Sequence, residues 1–293
     1  MRLNNFDPSN IRVRRGGTGG GSGGFPGGGG GKLGCGTIVI VLIGALVFGA
    51  DPAQMLGSIE GMQQGQPTQE QQSTPGGDTA ASICNDNPFA RESCNALGSL
   101  NQTWQPVFEK AGVPFSQPEL VFYQGGTNSG CGSASSSMGP FYCPADNGIY
   151  IDTSFYTQLE NELGAGGDFA RYYVMAHEYG HHIQQITGIA NQIRSAQQQN
   201  PRQANQLQVL MELQADCYAG VWAGKNRNLI EPGDFEEGMT AAAAIGDDTL
   251  MRKAGQQANP ESFTHGSSAQ RMQALKLGLD SGDDTQCDKI MQG

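Results

Sequence analysis

The chain has 293 residues, in which 17 Lys and Arg face 28 Asp and Glu, for a net charge of -11. This acidic balance argues against nucleic acid as a main partner, because affinity for nucleic acid depends on basic surfaces. The length is enough for one sizeable domain with additional segments.

The N-terminal part differs from the rest in charge and composition. Residues 1–32 contain all five basic residues of the first 50 positions and a glycine tract at 16–31 that cannot build a core. An apolar run follows at 33–50, about as long as the shortest membrane-spanning helices, which need ~17 residues. Nearby positive charges all precede this run, so the positive-inside rule places the N-terminus in the cytoplasm. We predict a cytoplasmic tail at 1–32, a single-pass cell-membrane anchor at 33–50 and an extracytoplasmic remainder.

Three other interpretations of the apolar run are less favoured. The sequence before Asp51 contains no clear small-x-small cleavage site, which argues against a cleaved signal peptide. The flanking tracts offer no partners for a buried core helix. A lipoprotein would carry its cysteine after the apolar stretch, whereas Cys35 precedes most of it. The Gln-rich segment at 51–82 is typical of a flexible linker, and a folded domain is expected at 83–293.

Six further cysteines follow the apolar run, and an even number in an exported region suggests disulfides. The local pairs would be Cys84–Cys94 and Cys131–Cys143, which leaves Cys217–Cys287. Six reduced, buried cysteines are the alternative. The spacings lack the paired Cys-x-x-Cys of a structural zinc site.

The first half of the domain mixes helix and strand patterns. A helical region is expected between Asn87 and Gly112, and a strand at Glu119–Tyr123. A small polar loop should follow at 127–139, and then two strands, 139–143 and 148–151, joined by a hairpin turn. A helix capped at Asp152-Thr153 comes next. Strands followed by several helices predict an α+β fold.

The sequence HEYGHH at 177–182 contains three of the four histidines of the chain. Apolar residues at spacings of three and four predict a helix around it, with Asp168 as its N-cap and Gly188 as its end. His177 and His181 then project from one face and can share a zinc ion, while Glu178 reaches a water molecule beside the metal. Gly180 is expected where another backbone comes close. The alternative is a chance occurrence of these residues on a polar helix.

A second helix, expected at 203–226, offers a third ligand. Catalytic zinc needs three protein ligands and an open position, and His182 points about 100° away from His181. Glu212 and Asp216 share a face at the margin of an apolar stripe, where an unpaired charge is costly. Zinc would satisfy Glu212, and a histidine N–H would satisfy Asp216. A solvated carboxylate pair is the alternative.

HEYGHH followed by ELQAD resembles the glutamate-zincin metallopeptidases. More narrowly, the chain resembles the bacterial family of predicted neutral zinc metallopeptidases, over roughly residues 83–290 and also at 264–271 (THGSSAQR). The resemblance implies a zincin-like domain with His177, His181 and Glu212 as ligands. It implies Glu178 as the base and Asp216 as a residue that orients a ligand, and it implies little about the substrate.

The segment 264–271 precedes a helix capped by Ser267 or Ser268. Its His265 is the one histidine outside HEYGHH, and a loop histidine in this place can stabilise a developing oxyanion. A surface or capping histidine is the equally weighted alternative, and Tyr179 is another candidate donor. Arg271 is expected to pair with a carboxylate in a structural role.

These observations predict a membrane-anchored, zinc-dependent peptidase that acts on peptide or protein substrates. The alternatives are a catalytically silent zinc-binding module of the cell envelope and an anchored envelope protein whose acidic domain binds a partner. Glu178 argues against the silent module, because a structural zinc site does not need it. Strand addition to one of the predicted strands is one way to bind an extended peptide.

Overall fold

The structure is a computed structural model that describes residues 1–17 and 78–292. The strands are β1 (Arg12–Arg15), β2 (Glu119–Tyr123), β3 (Gly126–Ser129), β4 (Gly132–Ser135), β5 (Phe141–Cys143) and β6 (Gly148–Asp152). The α-helices are α1 (Ala80–Cys84), α2 (Pro88–Ala111), α3 (Ser154–Asn161), α4 (Asp168–Ile186), α5 (Ile189–Gln199), α6 (Ala204–Lys225), α7 (Asp234–Ala244), α8 (Asp247–Lys253) and α9 (Ser268–Ser281). A 3₁₀ segment at Asp284–Gln292 follows α9. The predicted α+β class, mainly helical with a small sheet, is confirmed.

The main sheet has four strands in the order β1-β2-β6-β5. The pairs β1–β2 and β2–β6 are parallel, whereas β5 and β6 form the predicted antiparallel hairpin. All five residues of β6 are buried, as expected for a central strand covered by helices. The sheet therefore ends at β5, which contacts α4.

The N-terminal residues that the structure describes pack against the folded body, and the division of the chain at residue 83 stays a prediction. Arg12 to Arg15 pair in register with Glu119 to Phe122. The α-ammonium group of Met1 lies 2.7 Å from Asp234 Oδ1, at the start of α7. Paired strands lie only ~4.8 Å apart. The structure therefore places residues 12–15 next to residues 119–122, and the cytoplasmic position of the N-terminus stays a prediction.

The predicted anchor at 33–50 and most of the predicted linker lie outside the described residues. Within the part of the chain that the structure describes, no helix combines the length and the apolar character that a membrane crossing requires. Membrane attachment stays a prediction.

Helices α4, α6 and α9 form the centre of the helical layer. Helix α6 lies between α4 and α9 and contacts both. The α6–α9 contact is unusually close, because a Cβ built on Gly278 would lie 1.9 Å from the carbonyl oxygen of Cys217. Glycine is therefore required at this crossing, which brings the first turn of α9 to the middle of α6.

The three predicted disulfides are confirmed. Cys84–Cys94 joins α1 to α2, Cys131–Cys143 joins the β3–β4 hairpin to β5, and Cys217–Cys287 joins α6 to the C-terminal 3₁₀ segment. All of these half-cystines except Cys131 are fully buried. Each cross-link restricts the unfolded chain and thereby favours the folded state.

Among the local predictions, helix α2 is confirmed, whereas the β3–β4 hairpin and helix α5 were not predicted. Helix α2 begins after Asn87, whose side chain accepts from the Ala90 amide, and ends at Gly112 with φ +68°. The predicted loop at 127–139 contains the β3–β4 hairpin, whose small residues hide the alternation that marks most strands. Helix α5 was not predicted, because its polar sequence buries only Ala190 and Ile193.

Candidate metal centre

Helix α4 carries HEYGHH at its centre, as the apolar spacing predicts. It ends before Gly188, which has φ +82°, and its N-cap is Gly167, so that Asp168 is its first residue. The imidazoles of His177 and His181 are adjacent, with ring centroids 4.8 Å apart. The helix thus presents two nitrogen ligands on one face.

Helix α6 places a carboxylate between these two rings. Glu212 Oε2 lies 3.2 Å from His177 Nε2 and 3.4 Å from His181 Nε2. Ligands of a tetrahedral zinc with bonds of 2.0–2.1 Å are about 3.3 Å apart, so the donor spacing fits this ion. The structure brings together the three residues predicted as ligands, and they are largely buried.

Each of the three predicted ligand residues has its own hydrogen-bond partner. His177 Nδ1 lies 2.8 Å from Asp216 Oδ1, and His181 Nδ1 lies 2.9 Å from Gln184 Oε1. Glu212 Oε1 accepts from Gln208 Nε2 at 2.8 Å. Such contacts hold ligand side chains in the orientation that a metal needs. The structure places Asp216 against His177, one of the predicted ligands.

The electrostatics of the centre favour a bound cation. Burial alone lowers the pKa of His177, but Asp216 and Glu212 raise it to about 9. Burial opposes ionisation of Glu212, yet His181, His177 and His265 hold the pKa of its carboxyl well below the usual range. The carboxylate is thus ionised while the imidazoles attract a positive charge, and a metal ion can replace the protons.

Glu178 lies beside the ligands on α4. Its side chain is 8% exposed. Burial raises the pKa of this carboxyl, and the neighbouring His177 and His181 oppose the rise. A carboxyl group with a raised pKa, close to a candidate metal site, is suited to accept and return a proton.

His265 lies near the centre and is held by Asp247, the first residue of α8. Asp247 Oδ2 accepts from the backbone amides of Thr264, His265 and Gly266 at 2.7, 2.7 and 3.1 Å. Asp247 Oδ1 lies 3.1 Å from His265 Nδ1. These bonds fix the loop, and the bond to Nδ1 leaves Nε2 of the ring for another partner.

The other candidate donor, Tyr179, is not available to the centre. Its hydroxyl is buried and donates to Asn101 Oδ1 at 2.9 Å, on the far side of α4. His182 also points away, as predicted, and contacts Tyr142 of β5 and the carbonyl oxygen of Ser116. Burial lowers the pKa of His182 to about 4, so this ring is neutral and links α4 to the edge of the sheet.

Some residues of the centre were not assigned a site role from the sequence. Gln184 and Gln208 belong to no recognisable motif, because glutamines are common on polar helices. Arg271 forms the ion pair with a carboxylate that the sequence predicted, and its partner is Asp216, the residue that contacts His177. The sequence offers one signal for a site role of Arg271. It follows His265, a candidate site residue, by six positions in the segment THGSSAQR.

Comparison with known proteins agrees with this geometry. A family model described as "Putative neutral zinc metallopeptidase" matches residues 1–290. The uncharacterized protein YpfJ of Escherichia coli K12 is 44% identical over 288 residues, which cover 96% of this chain and 95% of YpfJ. The uncharacterized protein Rv2575 of Mycobacterium tuberculosis H37Rv is 39% identical over 216 residues, which cover 69% of this chain and 71% of Rv2575. No solved structure matches the chain. With a match over nearly its whole length, the chain belongs to the family of putative neutral zinc metallopeptidases.

Proposed function

We propose that the protein is a zinc-dependent peptidase with a zincin-like fold, in which His177, His181 and Glu212 hold the metal. The observation that carries the proposal is the spacing of 3.2 and 3.4 Å between the carboxylate oxygen and the two imidazole nitrogens. The family name supports zinc and peptide hydrolysis in general. Zinc, when bound there, supplies Lewis-acid chemistry toward a water molecule and a substrate carbonyl.

Glu178 is the proposed general base. Its carboxylate takes a proton from the attacking water and then gives that proton to the leaving amine. Burial raises the pKa of this carboxyl, which favours its taking up the proton of the water before the proton passes to the amine. Among the residues that the structure describes, none hydrogen-bonds to the Glu178 side chain, which leaves its oxygens for water and substrate.

His265 is the proposed donor to the oxyanion of the tetrahedral intermediate. The Asp247 carboxylate accepts from Nδ1, which leaves Nε2 to face other groups. Nε2 donates to the oxyanion in the imidazolium form of the ring, in which both nitrogens carry hydrogen. A donor fixed in advance stabilises developing charge without reorganisation during the reaction.

The substrate of this proposal is an extended peptide paired with strand β5. This strand is an edge of the main sheet, and Tyr142 within it lies 3.1 Å from His182 on the metal helix. Backbone groups on an edge strand bind an extended peptide by strand addition. A peptide on β5 would lie alongside α4, with its carbonyl groups near the centre.

We also propose an extracytoplasmic location, with attachment to the membrane through the apolar run at 33–50. The support is the set of three disulfides, which form and persist in oxidising compartments. Because residues 1–17 pair with the domain, this proposal places them on the same side as the metal centre.

The deciding experiment is metal analysis of the purified protein combined with a proteolysis assay. Wild type should hold about one zinc per chain, and Glu178→Gln should keep the zinc but lose proteolysis. Glu236→Gln, an exposed carboxyl on α7, is the control and should remain active. A metal-free wild type would overturn the proposed site. Zinc binding with no effect of Glu178→Gln would identify a zinc-binding interaction module instead.

A further inference from the structure

We infer that Arg271 and Tyr173 are positioning residues for the metal centre. Both act through Asp216, and together they fix the ring of His177 with its Nε2 toward Glu212. The inference rests on the proposed zinc site and adds two side chains that lie outside the ligand set.

Asp216 receives four donors on its two oxygens. Oδ1 accepts from the Tyr173 hydroxyl at 2.5 Å and from Arg271 Nη2 at 2.9 Å, and it lies 2.8 Å from His177 Nδ1. Oδ2 accepts from Arg271 Nε at 2.9 Å. The guanidinium thus binds the carboxylate through both oxygens, an arrangement that fixes the plane of the carboxylate as well as its position.

This carboxylate has no contact with solvent that could orient it otherwise. The side chain of Asp216 is 0% exposed and that of Arg271 is 2% exposed. A carboxylate buried in this way needs a compensating charge, and Arg271 supplies it. Lysine would supply the charge but not the two parallel N–H groups, so the plane of the carboxylate would be less well defined.

The arrangement determines which nitrogen of His177 carries hydrogen. Asp216 Oδ1 lies 2.8 Å from His177 Nδ1, and a carboxylate can only accept. Nδ1 is therefore the protonated nitrogen, and Nε2 keeps its lone pair. Nε2 is the atom that lies 3.2 Å from Glu212 Oε2, where a metal would sit.

Helix packing explains how a residue of α9 reaches this point. Arg271 is in the first turn of α9, and the contact of Gly278 with the Cys217 carbonyl brings α9 against α6 next to Asp216. Tyr173 precedes His177 by one helical turn on α4. The three helices α4, α6 and α9 therefore meet at a single carboxylate, and the position of a metal ligand depends on all three.

The test compares zinc affinities of the full chain, measured by competition with a chelator of known affinity. Arg271→Lys and Tyr173→Phe should each raise the Kd for zinc by about 10–100-fold, the usual effect of removing a partner of a ligand histidine. Tyr173→Phe keeps the buried ring and removes only the hydroxyl. The ¹⁵N shifts of His177 in the zinc-loaded protein should report a protonated Nδ1 in wild type and a mixture of orientations in Arg271→Lys.

Arg171→Lys is the matched control, because Arg171 also binds a carboxylate, that of Glu92, through two nitrogens and makes no hydrogen bond to the proposed ligands. It should leave the Kd for zinc unchanged. If wild type binds no zinc, the proposed function fails and not merely this inference. If wild type binds zinc and both site variants, folded by circular dichroism, bind it within about twofold of wild type, the inference is overturned. Should Arg271→Lys fail to fold, Tyr173→Phe alone decides.

Discussion

Gly180 of helix α4 lies directly against Ala215 of α6. A Cβ placed on Gly180 would be 2.8 Å from the Cα of Ala215 and 2.9 Å from its carbonyl oxygen. Real Cβ atoms do not approach backbone so closely, so only glycine permits this spacing of the two helices. The spacing brings Glu212 within reach of both histidines.

Gly180→Ala should therefore weaken zinc binding and destabilise the protein. Overpacking a well-packed site costs about 1–3 kcal/mol, and the displaced α6 would carry Glu212 away from the histidines. Gly98→Ala is the matched control, since its nearest atom would be 3.8 Å from a new Cβ and alanine favours the helix by about 0.5–1 kcal/mol. Equal unfolding free energies and zinc affinities for the two variants would contradict the account.

Much of the centre was predictable because its signals are local. The spacing of His177 and His181 follows from helix geometry, and a carboxylate at the margin of an apolar stripe needs a partner. Glu212 and Asp216 therefore followed from pattern and charge.

The missing parts depend on contacts between distant segments. Arg271 reaches Asp216 across 55 positions, and no local pattern reports that. Strand β1 was missed because four residues rich in arginine next to a glycine tract do not alternate as a buried strand does. Strand β1 pairs with β2, and Arg14 of β1 contacts Glu119 of β2, 105 positions away. The tertiary fold decides a pairing over this distance.

The disulfide Cys217–Cys287 should contribute more stability than Cys84–Cys94. It closes 70 residues of sequence, against 10 for the other bridge. The loop-entropy relation gives about 4 kcal/mol for the longer loop and about 3 kcal/mol for the shorter one. Chemical denaturation of the two double-serine variants should therefore give the larger loss for Cys217→Ser with Cys287→Ser. The reverse order would show that strain or residual structure in the unfolded chain dominates.

Asp247 and Asp248 are neighbours with different expected effects. Asp247 holds His265 through both a backbone amide and the ring, whereas Asp248 accepts from the amide and hydroxyl of Ser268. Asp247→Asn should lower kcat by misplacing His265, and His265→Gln should lower kcat about 10²–10³-fold if the ring stabilises the oxyanion. Zinc content should remain that of wild type in both.

Asp248→Asn serves as the control for lost hydrogen bonds at the start of α8. It should reduce the unfolding free energy to a similar degree as Asp247→Asn while kcat stays near that of wild type. If Asp248→Asn and Asp247→Asn reduce kcat equally, the loop merely needs to be folded and His265 has no role of its own.

The pairing of β1 with β2 predicts that the N-terminus shares a compartment with the metal centre. Ser9 in the N-terminal segment and Glu236 on α7 are both exposed, so a cysteine at either position is accessible to reagents. In a Cys35→Ser background, Ser9→Cys and Glu236→Cys should react equally with a membrane-impermeant maleimide in intact spheroplasts. The six disulfide-bonded cysteines do not react with the reagent. Labelling of Glu236→Cys in intact spheroplasts, with Ser9→Cys labelled only after permeabilisation, would refute the shared compartment and restore a single crossing between them. Such a result would also mean that β1 cannot pair with β2 in the cell, because hydrogen-bonded strands cannot lie on opposite faces of a membrane.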